Sequence, residues 1–320
     1  MGNISTAGIT AQSILQIRSA QSTMNDLSNQ LATGKKSIDY ADYTFTETRN
    51  LINFSTTIDK SNSYLNVINT VQPRLKVYAS SLSKLNEMAD KALPLINTTQ
   101  GYNAATNLAL GEQIKTYLSD AGYYLNQKVG DRFIFSGTGA RYTTAPVVDP
   151  TTLPVPPAVT DITAVSSPVL PTYDTGAPGS NALAYAKDTA NIDTNYNITY
   201  GVSSNETGIQ NLVLGLRWAY AATQDPANYN AYMETARGLL ESAKPQLRDL
   251  QANVAANQNR LTDVKSTHTN LITDLSNQAD AIQGADSATV AAQITFMQSR
   301  LEASYTVTGR IAQLSITKYL

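Results

Sequence analysis

A hydrophobic repeat with alternating spacings of three and four residues runs for fifty residues through the C-terminal half of the chain. Twelve of its fifteen positions are apolar, and the other three hold Asn257, His268 and Gln278. A 3.5-residue repeat of this length is typical of a coiled-coil seam and not of an ordinary globular helix. The sequence therefore predicts one long helix that packs against partner helices of similar length. The apolar positions are Met233, Ala236, Leu240, Ala243, Leu247, Leu250, Val254, Leu261, Val264, Leu271, Leu275 and Ile282.

The composition excludes several classes of chemistry. The chain has 320 residues, enough for two or three domains with a sizeable buried core. Its net charge is -2 and its Lys and Arg residues are scattered, so we expect no nucleic-acid partner. It has no Cys, which excludes thiol catalysis, disulfides and thiolate metal sites. His268 is the only His, which excludes a His-rich metal site, and we expect no cofactor.

The polar positions of the repeat leave alternatives open. A Ser-His-Asp triad would have to use His268 inside a long helix, so we favour a structural or surface role for this side chain. A pH-sensing or register-setting role is the alternative. Asn257 and Gln278 either fix the register of the seam or lie at its solvated edge.

The sequence predicts neither a membrane span nor a secretion leader. No run of 18 apolar residues occurs, so we expect no membrane-spanning helix. Residues 1–17 have no basic leader and no continuous apolar block, so a cleaved Sec signal is not expected. If the protein is exported, another route must carry it.

Three helices are predicted in the N-terminal part. Residues 4–33 form an amphipathic pattern that ends at Gly34, the residue type most common just past a helix. A non-helical connector is expected at 37–45. Two further helices are expected at 46–97 and 104–129, and Pro73 should kink the first of them or lie where a neighbour tolerates it.

A change of character follows the third helix. Gly130 and Asp131 indicate a turn, and residues 132–135 indicate a short strand. Eight of the twelve prolines lie between positions 146 and 178, which excludes helix there. We expect a mostly β surface insertion at 141–204. Its plausible short strands are 158–165, 183–187 and 198–202.

Helix is predicted again at 207–223, then along the seam, and then to the C-terminus after a cap at Asp286 or Ser287. The expected fold class is therefore mainly α: a long-helix coiled-coil bundle formed by N- and C-terminal segments, with a β-hairpin and a small, mostly β insertion domain. The expected domains are a terminal helix pair (1–42 with 284–320), an inner helical bundle with the hairpin (43–140 with 205–283) and the insertion (141–204).

The terminal helix pair is predicted to be marginal by itself. Two helices of about thirty residues, rich in Ser, Thr and Gln, bury little apolar surface. We expect these helices to become ordered only against neighbouring subunits. The predicted assembly interface consists of Ile14, Ile17, Met24, Leu27, Leu31, Ile294, Met297, Leu301, Ile311 and Leu314.

Three segments carry a resemblance to a known family. The block 301–315, LEASYTVTGRIAQLS, resembles the C-terminus of bacterial flagellins and of their relatives at the hook–filament junction, and 31–36, LATGKK, resembles the helix stop near their N-terminus. The block 130–138, GDRFIFSGT, followed by TAPV at 144–147, is most similar to the distal junction members, the third hook-associated proteins. The residues of this motif are Gly130, Asp131, Arg132, Phe133, Phe135, Gly137 and Thr138. The connector at 38–44, IDYADYT, departs from the pattern usual in the family.

The resemblance implies an extracellular structural subunit of the flagellum and no enzyme. Such a subunit would leave the cell through the type III flagellar export channel and self-associate in a ring. Its partners would be the first junction protein on the hook side, flagellin on the filament side, and a cytoplasmic export chaperone that holds the C-terminal helix. The terminal helices would form the inner tube.

Other interpretations remain beside this one. The chain could be a filament flagellin, although the motif at 130–138 argues against it, or a generic coiled-coil protein. A surface hydrolase carried on the insertion would have to use carboxylates whose spacing nothing fixes. Asp131 and Arg132 are expected to form an exposed ion pair or to contact a neighbouring subunit. The carboxylates of the insertion are Asp149, Asp161, Asp174 and Asp188, with Glu206 near its end.

Overall fold

The computed structural model describes residues 6–98, 101–138, 146, 151 and 187–316, without the side chains of 6, 7, 9, 10 and 312–316. The strand expected at 158–165, most of the one at 183–187 and the side chain of Leu314 lie outside the described residues. The elements in chain order are α1 (Thr6–Thr33), a 3-10 turn (Tyr40–Asp42), α2 (Phe45–Thr98), α3 (Ala104–Leu125), β1 (Lys128–Val129), β2 (Arg132–Phe133), β3 (Thr189–Asp193), β4 (Tyr196–Thr199), α4 (Thr207–Gln224), α5 (Tyr229–Gln283) and α6 (Ser287–Ile316).

The expected fold class is confirmed: the described chain is mainly α, built from long helices with two small antiparallel hairpins. Residue contacts divide it into two compact units. The first, here called the terminal unit, consists of residues 1–60 with 270–320, and the second, the inner unit, consists of 61–269. The domain boundaries expected from the sequence stay a prediction.

The inner unit has one continuous apolar core, and α5 supplies its longest face. Every predicted repeat position from Met233 to Val254 is buried, and so is Leu261. Residues from α2, α3, α4 and both hairpins pack into the same core. Since a fully buried Leu or Ile stabilises the fold by about 1.5–3 kcal/mol, this face alone accounts for much of the stability of the inner unit.

The helix ends follow local chemistry that was partly visible in the sequence. Gly34 ends α1 with a φ of 69°, a left-handed conformation that glycine adopts without strain. Thr44 and Glu47 form a reciprocal capping box at the start of α2, where the Thr44 amide donates to Glu47 Oε2 (2.9 Å). Asp286 is confirmed as the cap of α6, because its Oδ1 accepts from the Ala288 amide at 3.0 Å.

Two helix predictions need correction. The third helix ends at Leu125 and not at residue 129, since Asn126 closes it with a bond to Gly122 O (3.0 Å) and Val129 pairs with Arg132 in the hairpin. The connector at 37–45 contains a 3-10 turn, which the Asp39 side chain caps by accepting from the Ala41 amide at 2.9 Å. Short polar side chains favour such local turns over extended structure.

Pro73 interrupts neither the course nor the packing of α2, because the helix continues through it and its side chain is exposed. The loss of one backbone donor is tolerated where water can reach the freed carbonyl.

The strand predicted at 132–135 is shorter than expected. Only Arg132 and Phe133 pair with β1, around the turn at Gly130 and Asp131 that the sequence predicts. Ile134 and Phe135 are both buried, at 1% and 0% exposure. Neighbouring strand residues point to opposite faces, so the backbone must leave the strand to bury both.

The second hairpin was only partly predicted. Its strand β4 overlaps the expected strand at 198–202, whereas β3 at 189–193 was not predicted. Ala190, Ile192 and Ile198 of this hairpin lie in the inner-unit core. Asn195, at the turn, has a φ of 58°, a conformation that Asn tolerates better than most residues.

The two polar seam residues of α5 in the inner unit bind the backbone of this second hairpin. Asn257 Nδ2 donates to Thr199 O at 3.0 Å, and His268 Nε2 lies 3.0 Å from Ile192 O. His268 is 3% exposed and its ring stacks on Tyr64, with centroids 5.2 Å apart. These side chains therefore satisfy strand carbonyls and seat the hairpin on α5.

The seam predicts a stability difference between two leucines. Leu240→Ala removes a side chain with 0% exposure, whereas Leu108→Ala trims one that is 69% exposed on α3. We expect Leu240→Ala to lower the free energy of unfolding by about 2–5 kcal/mol and Leu108→Ala to change it by about 0.5 kcal/mol or less. Urea denaturation followed by circular dichroism measures both, and equal losses would contradict the burial of the seam.

Candidate assembly surface

The terminal unit contains a helix pair with a thin apolar core. Helix α1 packs along α6, and Leu27 and Leu301 are the buried side chains at the centre of the predicted interface set, at 7% and 5% exposure. Gln21 Nε2 also donates to the Tyr305 hydroxyl across the pair, at 2.7 Å. Ile17, Met24, Ile294, Met297 and Ile311 are half-buried, and Ile14 and Leu31 are exposed.

Few side chains of the terminal unit are fully enclosed. Among its described residues, the buried apolar side chains are Leu27, Leu51, Val290 and Leu301. Each contributes about 1.5–3 kcal/mol. Leu51 lies on α2, so only Leu27, Val290 and Leu301 of these four belong to α1 and α6. The helix pair therefore fully encloses few apolar side chains.

Large apolar side chains on both helices are left in solvent. They flank the face on which α1 and α6 meet and lie off the predicted heptad positions, apart from Ile14 and Leu31. The set is Ile14 (43% exposed), Leu15 (65%) and Leu31 (43%) on α1 with Phe296 (67%), Tyr305 (50%) and Val307 (54%) on α6. Exposed apolar side chains grouped on one element mark surfaces that another protein covers.

A backbone clasp joins the ends of the helix pair. Lys35 and Gly284 form an isolated antiparallel bridge. The Lys36 amide donates to Gln283 O at 2.7 Å, and the Ala285 amide donates to Gly34 O at 2.8 Å. A Cβ on Gly284 would lie 2.5 Å from Asp280 O, so only glycine fits there. The clasp fixes where α1 ends relative to the start of α6.

The hairpin motif at 130–138 makes its contacts within the inner unit and does not belong to the exposed apolar surface of the terminal unit. Arg132 forms an ion pair with Asp188, and its Nη2 also donates to Gly137 O at 3.3 Å. The expected exposed pair between Asp131 and Arg132 is therefore wrong, because Asp188 offers Arg132 a carboxylate in a more enclosed site, with both side chains about 15% exposed or less. Partial burial strengthens the attraction between the two charges.

Tyr78 of α2 reinforces the same motif. Its hydroxyl donates to Ile134 O, and its ring meets Phe135 edge-on with centroids 5.0 Å apart. Burial raises the pKa of Tyr78, and the Asp188 carboxylate acts in the same direction, so the hydroxyl stays protonated and remains a donor. The motif residues Phe133 and Thr138 are half-buried, and Lys128 Nζ lies 4.2 Å from the Phe133 ring centroid.

The described residues hold no group of three His, Cys, Asp or Glu side chains arranged to bind a metal ion. In the same part of the chain, no helix combines the length and the hydropathy needed to cross a bilayer. The terminal unit presents exposed apolar side chains next to a small core, and that arrangement is suited to association.

The sequence missed the exposed apolar residues Leu15, Phe296, Tyr305 and Val307. The heptad analysis selected the positions on the contact face of each helix and set aside those that flank it. A second stripe with the same spacing, beside the contact face of α6, was the signal that could have identified Phe296 and Val307.

Among the solved structures with a similar fold is one from Vibrio parahaemolyticus that is described as a flagellar hook-associated protein. It aligns with a TM-score of 0.59 at 12% identity, over 76% of this chain and all of that one. FlgL from Bacillus cereus aligns with a TM-score of 0.39 at 16% identity, over 75% of this chain and 98% of its own. No family model and no curated protein sequence matches the chain. At 12% identity, the Vibrio likeness establishes a shared fold, and the TM-score of the Bacillus likeness is too low for any conclusion.

The ion pair under the motif gives a test with a matched control. Asp188→Ala would remove the carboxylate that pairs with Arg132 in an enclosed site, whereas Asp131→Ala removes the exposed neighbouring carboxylate. We expect Asp188→Ala to lower the free energy of unfolding by about 2–4 kcal/mol and Asp131→Ala to change it by about 0.5 kcal/mol or less.

The double variant Arg132→Met with Asp188→Leu should recover most of the loss, because it removes both charges together. All variants are compared by urea denaturation. A loss for Asp131→Ala equal to that for Asp188→Ala would mean that the partner of Arg132 has been assigned wrongly.

Proposed function

We propose that this protein is a structural subunit of the bacterial flagellum at the junction between hook and filament, with no catalytic role. In this proposal, the terminal helices assemble with those of neighbouring copies into a ring.

The observation that carries the proposal is the contrast between the two units. The inner unit has a continuous core that includes every apolar repeat position from Met233 to Leu261. The terminal unit has a thin core, and its helices expose large apolar side chains such as Leu15 and Phe296. A subunit that folds in its inner part and completes its terminal part on assembly would have this distribution of burial.

The comparisons add support of a coarser kind. The fold is shared with a protein described as flagellar and hook-associated, and the likeness covers all of that chain. The sequence blocks at 31–36, 130–138 and 301–315 resemble the same family at positions scattered along the whole chain. The motif at 130–138 favours a junction protein over a filament flagellin, whose fold would be similar.

The proposal names the partners by position. The first junction protein would contact the ring on the hook side, and flagellin would contact it on the filament side. Before export through the type III channel, a cytoplasmic chaperone would cover α6, whose exposed Phe296 and Val307 would otherwise promote aggregation.

The amount of the protein in flagella tests this function. Filaments with attached hooks are sheared from the bacterium that carries the gene, and the protein is quantified by mass spectrometry against total filament protein. We expect a small number of copies per flagellum, because a junction ring is built once. A dominant share would identify a filament flagellin, and absence from intact hook–filament assemblies would refute a flagellar role.

A pair of variants tests whether α6 carries the assembly. Leu301→Asp places a charge at a side chain that is 5% exposed in the α1–α6 contact, and Leu108→Asp places the same charge on the exposed surface of the inner unit. We expect Leu301→Asp to be lost from flagella and to release filament protein into the medium, and Leu108→Asp to behave as the natural chain. Normal incorporation of Leu301→Asp would contradict the assigned surface.

A further inference from the structure

Helix α6 carries a second stripe with heptad spacing, which flanks its buried face. Its members are Phe296, Arg300, Ala303, Val307 and Arg310, at successive intervals of four, three, four and three residues. All five are exposed, with Phe296 at 67% and Val307 at 54%. The stripe spans about 21 Å along the helix. We call these five residues the α6 stripe.

The α6 stripe combines apolar and cationic chemistry. Phe296 and Val307 lie eleven residues apart, about three helical turns, and therefore on one line of the helix surface. Arg300 and Arg310 lie beside this line, and neither guanidinium forms an ion pair with any described residue. Glu302, the one carboxylate near the stripe in sequence, lies on a different face of the helix by its position in the repeat.

A second exposed surface of the terminal unit has the opposite charge. It consists of Ile38, Asp39, Tyr40, Asp42 and Phe45, which we call the connector patch. Phe45 is 83% exposed, Ile38 69% and Tyr40 46%. Among the large apolar side chains of the described residues, Phe45 is the most exposed. This surface lies in the segment that departs from the family pattern.

The connector patch is rigid and anionic. Its turn is fixed by Asp39, whose Oδ1 accepts from the Ala41 amide at 2.9 Å, and by Asp42, which accepts from the Ser37 hydroxyl. Within the described residues neither carboxylate is paired with a cation. Lys36, which precedes the patch, donates instead from Nζ to Ile282 O at 3.0 Å. The patch therefore presents two carboxylates among three large apolar side chains, and Lys35 and Lys36 line the same cleft.

We infer that the α6 stripe of one copy docks on the connector patch of a second copy. Each surface offers apolar side chains, and the charges are opposite in sign: Arg300 and Arg310 on one, Asp39 and Asp42 on the other. Since the two surfaces are different parts of one chain, each copy keeps one free surface of each kind after a contact forms. Such a heterologous contact propagates from copy to copy and closes into a ring or extends as a filament.

This inference rests on the proposed function for its biological setting, but it makes a separate claim about which surfaces meet. Complementary charges at the rim of an apolar contact fix orientation and suppress wrong pairings more than they add affinity. The contact should therefore set the direction of assembly and weaken as salt rises.

The chain has no Cys, so disulfide cross-linking can occur only at cysteines that are introduced. One preparation of the full chain carries Asp42→Cys and a second carries Arg300→Cys, and the two are mixed under mild oxidation at the highest soluble concentration. The control mixes Asp263→Cys, an exposed carboxylate of the inner unit, with Arg300→Cys. We expect the first mixture to form the mixed dimer at least about tenfold faster than the control.

Charge reversal provides the second test. It separates the effect of the charges from any disturbance of local structure by the substitutions, because the combined reversal keeps the substitutions and restores opposite charges. Asp39→Lys with Asp42→Lys should abolish the excess cross-linking between Val307→Cys and Tyr40→Cys, and so should Arg300→Glu with Arg310→Glu in the other partner. Combining the two reversals should restore it. Rates equal to the control in the unreversed mixtures, or no restoration by the combined reversal, would overturn the docking of these two surfaces.

The same variants in the producing bacterium separate the two proposals. In the first case, the chain is present at the hook–filament junction, but a chain that carries both Asp42→Cys and Arg300→Cys gives no ladder of linked subunits. The docking inference then fails, and the flagellar function stands. If purified chains cross-link as expected but the protein is absent from flagella, the function fails and the docking stands. Binding of the α6 stripe to a different protein alone would also overturn the inference.

Discussion

The burial of one heptad face of α5 is the interaction on which the rest of the structure depends. From Met233 to Leu261 this face fills the core of the inner unit, where it meets α2, α3 and α4. The same face carries Asn257 and His268, which bind backbone carbonyls of the second hairpin and so hold the β elements on the helices. Because a heptad face continues along the whole helix, α5 also contributes to the terminal unit, but there Leu271 is 36% exposed and Gln278 lies in solvent.

This uneven burial connects the fold to the proposed function. Under the proposed function, a helix pair that buries as little as α1 and α6 do would gain stability chiefly from surfaces that other copies supply. The exposed apolar side chains Leu15, Phe296 and Val307 would favour aggregation of a monomer, and they would stabilise an assembly that covers them. The clasp between residues 34–36 and 283–285 fixes the ends of the pair, so that partner copies would meet a defined surface even though its core is thin.

The sequence predicted the features that depend on neighbouring positions, such as helices and their ends. It did not predict contacts between residues that are far apart in the chain. The long helices, the stop at Gly34 and the cap at Asp286 are local, and the structure confirms them. The partner of Arg132, Asp188, lies 56 residues along the chain, directly before the second hairpin. The short strands of that hairpin gave no clear signal in the sequence. The carbonyls that Asn257 and His268 bind belong to that hairpin too. Exposed Phe45 could not be recognised, because an apolar residue at a helix start is as compatible with a buried staple as with an open surface.

The most direct test of the account is hydrogen exchange, followed by mass spectrometry, on the full chain as a dilute monomer and in assembled flagella. We expect peptides from α1 and α6 in the monomer to exchange at least about a hundredfold faster than those covering residues 233–261 of α5, because local opening costs little where few apolar contacts must break. In the assembled state the same terminal peptides should exchange slowly. Protection of α1 and α6 in the dilute monomer equal to that of α5 would show that the pair is complete without partners, and would contradict the central claim.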